Sequence, residues 1–184
     1  MAAHGVFLIT GLPGSGKTTL ARALARELAV PLLSKDCIKE PLLDVLGAPD
    51  LGASRRLSDA SFAVLFGLAA ELLETAGTVV LEGNFRPGEH EVPLRALLAR
   101  HAPRGCIQVL CRAAEQLRQQ RLLARAADAA RHPGHRDAVW VAQAVRLGDA
   151  FLDIAGPRLI LDSGVTEPQA GCALIRSLAN GQLV

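Results

Sequence analysis

The sequence predicts an α/β architecture, a parallel sheet of five strands covered by helices, and three observations carry that prediction. Short apolar β-type runs alternate with longer amphipathic stretches along the chain. The first run, Val6-Phe-Leu-Ile-Thr10, is almost wholly apolar, as a strand buried on both faces must be. No repeat, low-complexity tract or linker divides the 184 residues, a length that suits one domain over 1–184.

The elements follow in order. After the Val6–Thr10 strand, Leu20, Leu24 and Leu28 recur every four residues while Arg22 and Arg26 point elsewhere, so Lys17 to Ala29 is read as a helix. Pro31 to Ser34 is a short second strand. Helices are expected over Asp36–Leu46 and Arg55–Ala76, the latter with Phe62, Leu65, Phe66, Ala69 and Leu73 on one face. Thr78 to Glu82 is the third strand, Glu91 to Arg100 a helix, and Gly105 to Cys111 the fourth strand. A long helix starts near Ala113 and breaks at His132-Pro133-Gly134. Asp137 to Ile154 is read as another helix, Arg158 to Leu161 as the fifth strand and Glu167 to Leu178 as the last helix.

Composition narrows the classes. Half the residues are hydrophobic, enough for a core and too many for a disordered chain. Twenty basic against 18 acidic residues leave +2, which demands neither nucleic acid nor an anionic membrane. Five Phe, one Trp and no Tyr give few rings for stacking bases. The cysteines at 37, 106, 111 and 172 form no CxxC pair, and the reading is of reduced thiols and a cytoplasmic location. Cys106 and Cys111, an odd offset apart, should face opposite sides of one strand. The N-terminus has no signal-peptide pattern, and the longest apolar stretch, Ser61 to Leu73, contains Glu71 and is too short for a bilayer.

In open α/β sheets ligands bind beyond the carboxyl ends of the strands. Here those ends carry Gly11 to Thr18, Lys35-Asp36, Glu82-Gly83-Asn84, Arg112 and Asp162-Ser163. The first cluster decides the class. Gly11-Leu12-Pro13-Gly14-Ser15-Gly16-Lys17-Thr18 satisfies the phosphate-loop (Walker A) pattern, directly after a strand and opening a helix. Its glycines let the backbone wrap phosphate oxygens, and its N–H groups, with Thr19 next in line, supply positive potential. Lys17 is then the cation for the β- and γ-phosphates, and the Thr18 hydroxyl a ligand of Mg²⁺. An Asn-Lys-x-Asp guanine element is missing from the sequence, which counts against a GTPase, and motor and AAA+ ATPases need more chain.

With that loop, Ser34-Lys-Asp36-Cys-Ile-Lys39, Arg121-x-x-x-Arg125 and Leu161-Asp-Ser-Gly164, the sequence resembles the small P-loop kinases over most of its length. These include chloramphenicol phosphotransferase, gluconate kinase and the kinase domain of polynucleotide 5′-kinases. The resemblance implies the three-layer P-loop NTPase fold with strand order 2-3-1-4-5, ATP and Mg²⁺, and a small-molecule hydroxyl acceptor. It also implies a lid over about 126–136, with the 161–164 loop near the adenine. Phosphoryl transfer needs a carboxylate to accept the hydroxyl proton, and Asp36 is the residue placed for it; capping of the following helix is the other reading. Lys39 matches a position that is basic for substrate in polynucleotide kinases, and equally suits a solvated helix face.

Arg118, Arg121 and Arg125 share one helix face. Arg121 and Arg125 match the family pair that meets the nucleotide and the transferring phosphoryl, whereas Arg118 is read as surface. Glu82 stands where P-loop proteins carry an acid that holds Mg²⁺ through water. Asn84 and Arg86 then face substrate, Arg86 hinting at an anionic or polyhydroxylated one, or the stretch simply makes a turn. His132 and His135 lack the Cys or carboxylate partners of a metal site. Two further readings stand beside the small-molecule kinase: a polynucleotide 5′-hydroxyl kinase, and a switch that binds or hydrolyses ATP without transfer.

Overall fold

The computed structural model describes residues 5–102, 105–129, 132, 134 and 149–182. Its sheet has five parallel strands in the order β2-β3-β1-β4-β5: β1 Val6–Gly11, β2 Leu32–Ser34, β3 Val79–Glu82, β4 Cys106–Arg112 and β5 Arg158–Asp162. The expected order is the observed one. The helices are α1 Lys17–Leu28, α2 Lys35–Leu46, α3 Leu51–Ala76, α4 Glu91–His101, α5 Glu115–Ala126 and α6 Pro168–Ala179.

Every residue of β1 is buried, which is why its sequence is apolar without alternation. Its side chains nonetheless divide between two cores. Val6 and Leu8 pack with Leu65, Ala69 and Leu73 of α3 and Leu94 and Leu97 of α4. Phe7 and Ile9 pack on the other face with Leu20, Ala21 and Leu24 of α1 and Cys172 and Ile175 of α6. Cys106 belongs to the first core and Cys111 to the second, as their odd spacing requires. Burial pushes the thiols of both up to about 12 and that of Cys172 to about 11, whereas Cys37 on α2 is exposed.

Three expectations are corrected. α3 begins at Leu51, four residues before Arg55, because Asp50 caps it: its carboxylate accepts the Ala53 N–H at 2.7 Å. The helix after β4 ends at Ala126 instead of running to His132. Residues 149–154, read as the end of a helix, are not helical; the rest of that expected helix, Trp140 included, lies outside the described residues. Gln108, fully buried in β4, takes the peptide groups a helix would have used. Its amide donates to the carbonyls of Leu152 and Ile154 at 3.2 and 3.0 Å and accepts the Leu152 N–H at 3.1 Å. Five residues of the expected lid, Ala130, Arg131, Pro133, His135 and Arg136, also lie outside the described residues. No helix among those described is long and apolar enough to cross a membrane.

Candidate active site

The loop between β1 and α1 is built for close backbone approach. Gly14 and Gly16 have φ of 80° and 83°, and a Cβ on Gly14 would lie 2.8 Å from the Arg118 carbonyl oxygen. Gly16 is the N-cap of α1, with no side chain bonded to the orphan amides and no acid in the first turn. Those uncapped donors, at the positive end of a 12-residue helix, face what the loop encloses. Ser15 is buried and its Oγ has no partner among the described residues. Lys17 folds back, its Nζ donating to the Leu12 carbonyl at 3.4 Å, and is half-buried like Thr18; Thr19 is exposed.

The acid at the end of β3 meets the loop. Glu82 is buried, accepting from Thr18 Oγ1 at 3.2 Å and from Ser34 Oγ at 2.5 Å. Register explains the meeting, because Ser34 pairs with Glu82 between β2 and β3 while Glu82 pairs with Ile9 beside the loop. A carboxylate and hydroxyl oxygens gathered beside a phosphate loop are the hard donors that Mg²⁺ selects. The Thr18 hydroxyl and the Glu82 carboxylate, 3.2 Å apart, are thus residues that could hold such an ion.

Arg121 bonds the loop to the turn after β5: its guanidinium donates to the Gly14 carbonyl at 3.0 Å, to Ser163 Oγ at 2.7 Å and to the Ser163 carbonyl at 3.0 Å. With Arg125, Gly16, Thr19, Ser163 and Glu167 it lines a cavity of about 290 Å³. Leu161 and Ser163 of the 161–164 loop border the same cavity. Arg118 is not surface, as its spacing had suggested. It is buried, donating to the Pro13 carbonyl at 3.2 Å, because the helix face that carries all three arginines packs against the phosphate loop.

Across the sheet edge, Asp36 sits in the first turn of α2 with its side chain 41% exposed. It is not the cap. Ser34 holds that position and spends its hydroxyl on Glu82. Asp36 Oδ1 accepts from Lys35 Nζ at 3.2 Å, and Lys35, with only 8% of its side chain exposed, is a residue the sequence reading missed. A buried lysine at a helix N-terminus breaks two local rules, one on burial and one on the helix dipole. Gly83 makes room for it, since a Cβ there would come within 3.2 Å of Lys35 Cβ and 3.3 Å of the Phe62 ring.

Lys39 is tied to α3, its Nζ donating to Ser54 Oγ at 2.9 Å. Asn84 and Arg86 line a notch beside Thr10 to Pro13. Arg86 is fixed twice: its N–H donates to His90 Nδ1 at 2.8 Å and its guanidinium to Glu89 at 3.1 Å. Burial pushes Glu89 up, but Arg86 and Arg55 outweigh it and hold the carboxyl below its ordinary range. Burial lowers His90, whose ring packs tilted against Phe62 with centroids 4.0 Å apart. His132 is bonded to Asp44 at 2.9 Å; His135 lies outside the described residues.

A family model described as an AAA domain matches residues 6–147. A solved structure from Chloroflexus aurantiacus, described as a candidate kinase, is 34% identical, with TM-score 0.83 over 96% of this chain and 98% of that one. The Mycobacterium tuberculosis APS kinase, solved with AMPPNP and APS, shares the fold at 20% identity and TM-score 0.61, over 97% of this chain and 99% of that one. Among curated relatives, a cytidylate kinase of Pyrobaculum neutrophilum is 40% identical over 82 residues, 43% of this chain and 44% of that protein. An uncharacterised protein of Mycobacterium tuberculosis is 28% identical over 165 residues, 82% of this chain and 32% of that one. The chain therefore spans less than half the length of these curated relatives. The family's description names an AAA domain, and the solved match of nearly equal length is described as a kinase.

Proposed function

Because the chain belongs to this AAA-domain family of P-loop, kinase-like proteins, we propose that it is an ATP-dependent phosphotransferase acting, within a single domain, on a hydroxyl of a small molecule. The observation that carries the reading is a partly exposed carboxylate, Asp36, on the same sheet edge as a complete and uncapped phosphate loop. A protein that only sensed ATP would need the loop and not the carboxylate.

The loop amides from Leu12 to Thr19 and Lys17 bind and orient the phosphates, while the cavity beside Arg121 and Arg125 takes the nucleoside. Thr18, and Glu82 through water, would hold Mg²⁺, which would neutralise negative charge on the phosphates. Asp36 accepts the acceptor's hydroxyl proton as its oxygen bonds to the γ-phosphorus; the bond from that phosphorus to the β–γ bridging oxygen breaks, and ADP leaves. Arg125 and Lys17 face the charge that develops, and Arg121 holds Gly14 and Ser163 in register around it. Lys39, Asn84 and Arg86 stand on the acceptor side.

Lys17→Ala tests the premise, because it deletes the cation built into the loop. Equilibrium titration with a fluorescent ATP analogue should show most of the affinity gone. Wild-type affinity in a folded variant would sink the assignment.

A further inference from the structure

Between α2, α3 and the loop after β3 the polar side chains are linked in sequence. Lys39 reaches Ser54 on α3; the next residue, Arg55, donates to Glu89 Oε1 at 2.9 Å; and Arg86 donates to Glu89 Oε2 at 3.1 Å. Glu89 thus engages one terminal nitrogen of each of two guanidiniums, which carry five N–H donors apiece. Arg86 Nε is moreover buried with no partner among the described residues, although its side chain is 22% exposed. A guanidinium with an unmet buried donor is an unusual thing to hold rigid, and this one is held at its peptide by His90 and at its tip by Glu89.

Several acids nearby are engaged elsewhere. Asp50 caps α3, Asp44 meets His132, and Glu91 accepts from the Asp153 N–H at 3.5 Å. Asp36 is paired with Lys35. Among the described contacts, Arg55 and Arg86 share the carboxylate of Glu89; Asp149, which lines the same notch as Arg86, is bonded to Arg112, and the Lys39 ammonium on α2 meets Ser54, the neighbour of Arg55. The same Arg86 lines the notch shared with Gly11 to Pro13, so the Arg86 end of this cluster borders the phosphate loop.

We infer that the acceptor carries an oxyanion, a carboxylate or a phosphate ester, and that Arg86 and Arg55, braced by Glu89, grip it while Lys39 adds charge. The inference rests on the phosphotransferase reading and deepens it. The recognised chemistry is planar or tetrahedral oxygen, which guanidinium forks match. Glu89 acts by fixing the two forks before the anion arrives, so that less side-chain freedom is lost on binding.

The test uses the full chain saturated with Mg²⁺ and AMP-PNP, so that the phosphate loop is filled. Sulfate and acetate are then titrated separately at ionic strength matched with sodium chloride, and binding is read by calorimetry and thermal shift. A saturable anion step is expected, weakened about tenfold or more in Arg86→Gln and in Arg55→Gln, with AMP-PNP affinity unchanged within about threefold. A stronger sulfate step points to a phosphate ester, a stronger acetate step to a carboxylate. No anion step in the wild type, or a step that survives both substitutions, overturns the inference. Arg55, with 58% of its side chain exposed, keeps the test open should the Arg86 variant misfold. Failure of AMP-PNP itself to bind is a separate result and overturns the phosphotransferase reading instead.

Discussion

Asp36→Asn separates catalysis from architecture, and the structure sets the size of each effect. The amide oxygen of Asn can still accept from Lys35 Nζ, so what is lost is the charge on a 3.2 Å bond. Lys35 keeps its charge, so the remaining bond is still charge-assisted, and removing one charge from a pair whose acid is 41% exposed costs about 1 kcal/mol or less. In a chain of this length that lowers Tm by at most about 2–4 °C. A fold stable by about 5–15 kcal/mol stays folded at 25 °C after such a loss. Removing a positioned base, by contrast, slows transfer by about 10²–10⁴. The two effects differ enough to be told apart. Acceptor-dependent ADP formation at saturating Mg-ATP gives the rate, melting gives the stability, and AMP-PNP titration should show nucleotide affinity within about threefold of wild type. Adding Lys35→Met should recover the lost stability, since no buried ammonium then faces a weakened partner, without restoring the rate. A variant that melts as calculated yet transfers within threefold of the wild-type rate would refute the role of Asp36 as base.

Two further outcomes are expected. Gly16→Ala combines a left-handed φ of 83° with a Cβ 2.8 Å from Ser163 Cβ, so it should displace the residue that holds Arg121 and cost about tenfold or more in AMP-PNP affinity; Gly47→Ala, at φ 65° with open space, carries the backbone strain of about 1–2 kcal/mol alone, and equal affinity losses in the two would contradict the coupling. His90 is held by burial below its ordinary 6.5 although Glu89 opposes it, so the unfolded chain binds the proton more readily; its share of stability is complete above pH 6.5 and lost on acidification below it, and melts from pH 7.5 to 5.5 should fall less steeply in His90→Asn, whose amide oxygen can still accept the Arg86 N–H.

The phosphate loop was legible because everything it needs is contiguous: three glycines, a lysine and a threonine between a strand and a helix. The strands were legible for the same local reason, and their order came with the resemblance. Lys35 was not, because its meaning depends on Gly83 and Phe62, 48 or fewer residues away along the chain but in contact only once β2 and β3 pair. Arg118 was misread as solvated because periodicity names a helix face without naming what that face meets. The start of α3 carried a signal in Asp50, three residues before the amide it caps, masked by the low helix propensity of Gly52. Residues 149–154 have helix-like apolar spacing, but a buried glutamine on a neighbouring strand took their peptide groups.

The distribution of sulfur makes the protein chemically addressable at one point. Thiolate is the reacting species, and a thiol at about 12 is in that form in roughly one molecule in 10⁵ at pH 7. Cys111 borders the nucleoside cavity yet is sealed from reagents by its own burial. Cys37 stands in the open, one residue from Asp36 on the first turn of α2. Stoichiometric labelling therefore marks the first turn of α2, next to the carboxylate proposed as base, and leaves Cys111 unmarked. An adduct at that position, whether a dye or a mixed disulfide, would crowd the entry of the acceptor and spare the hold on ATP.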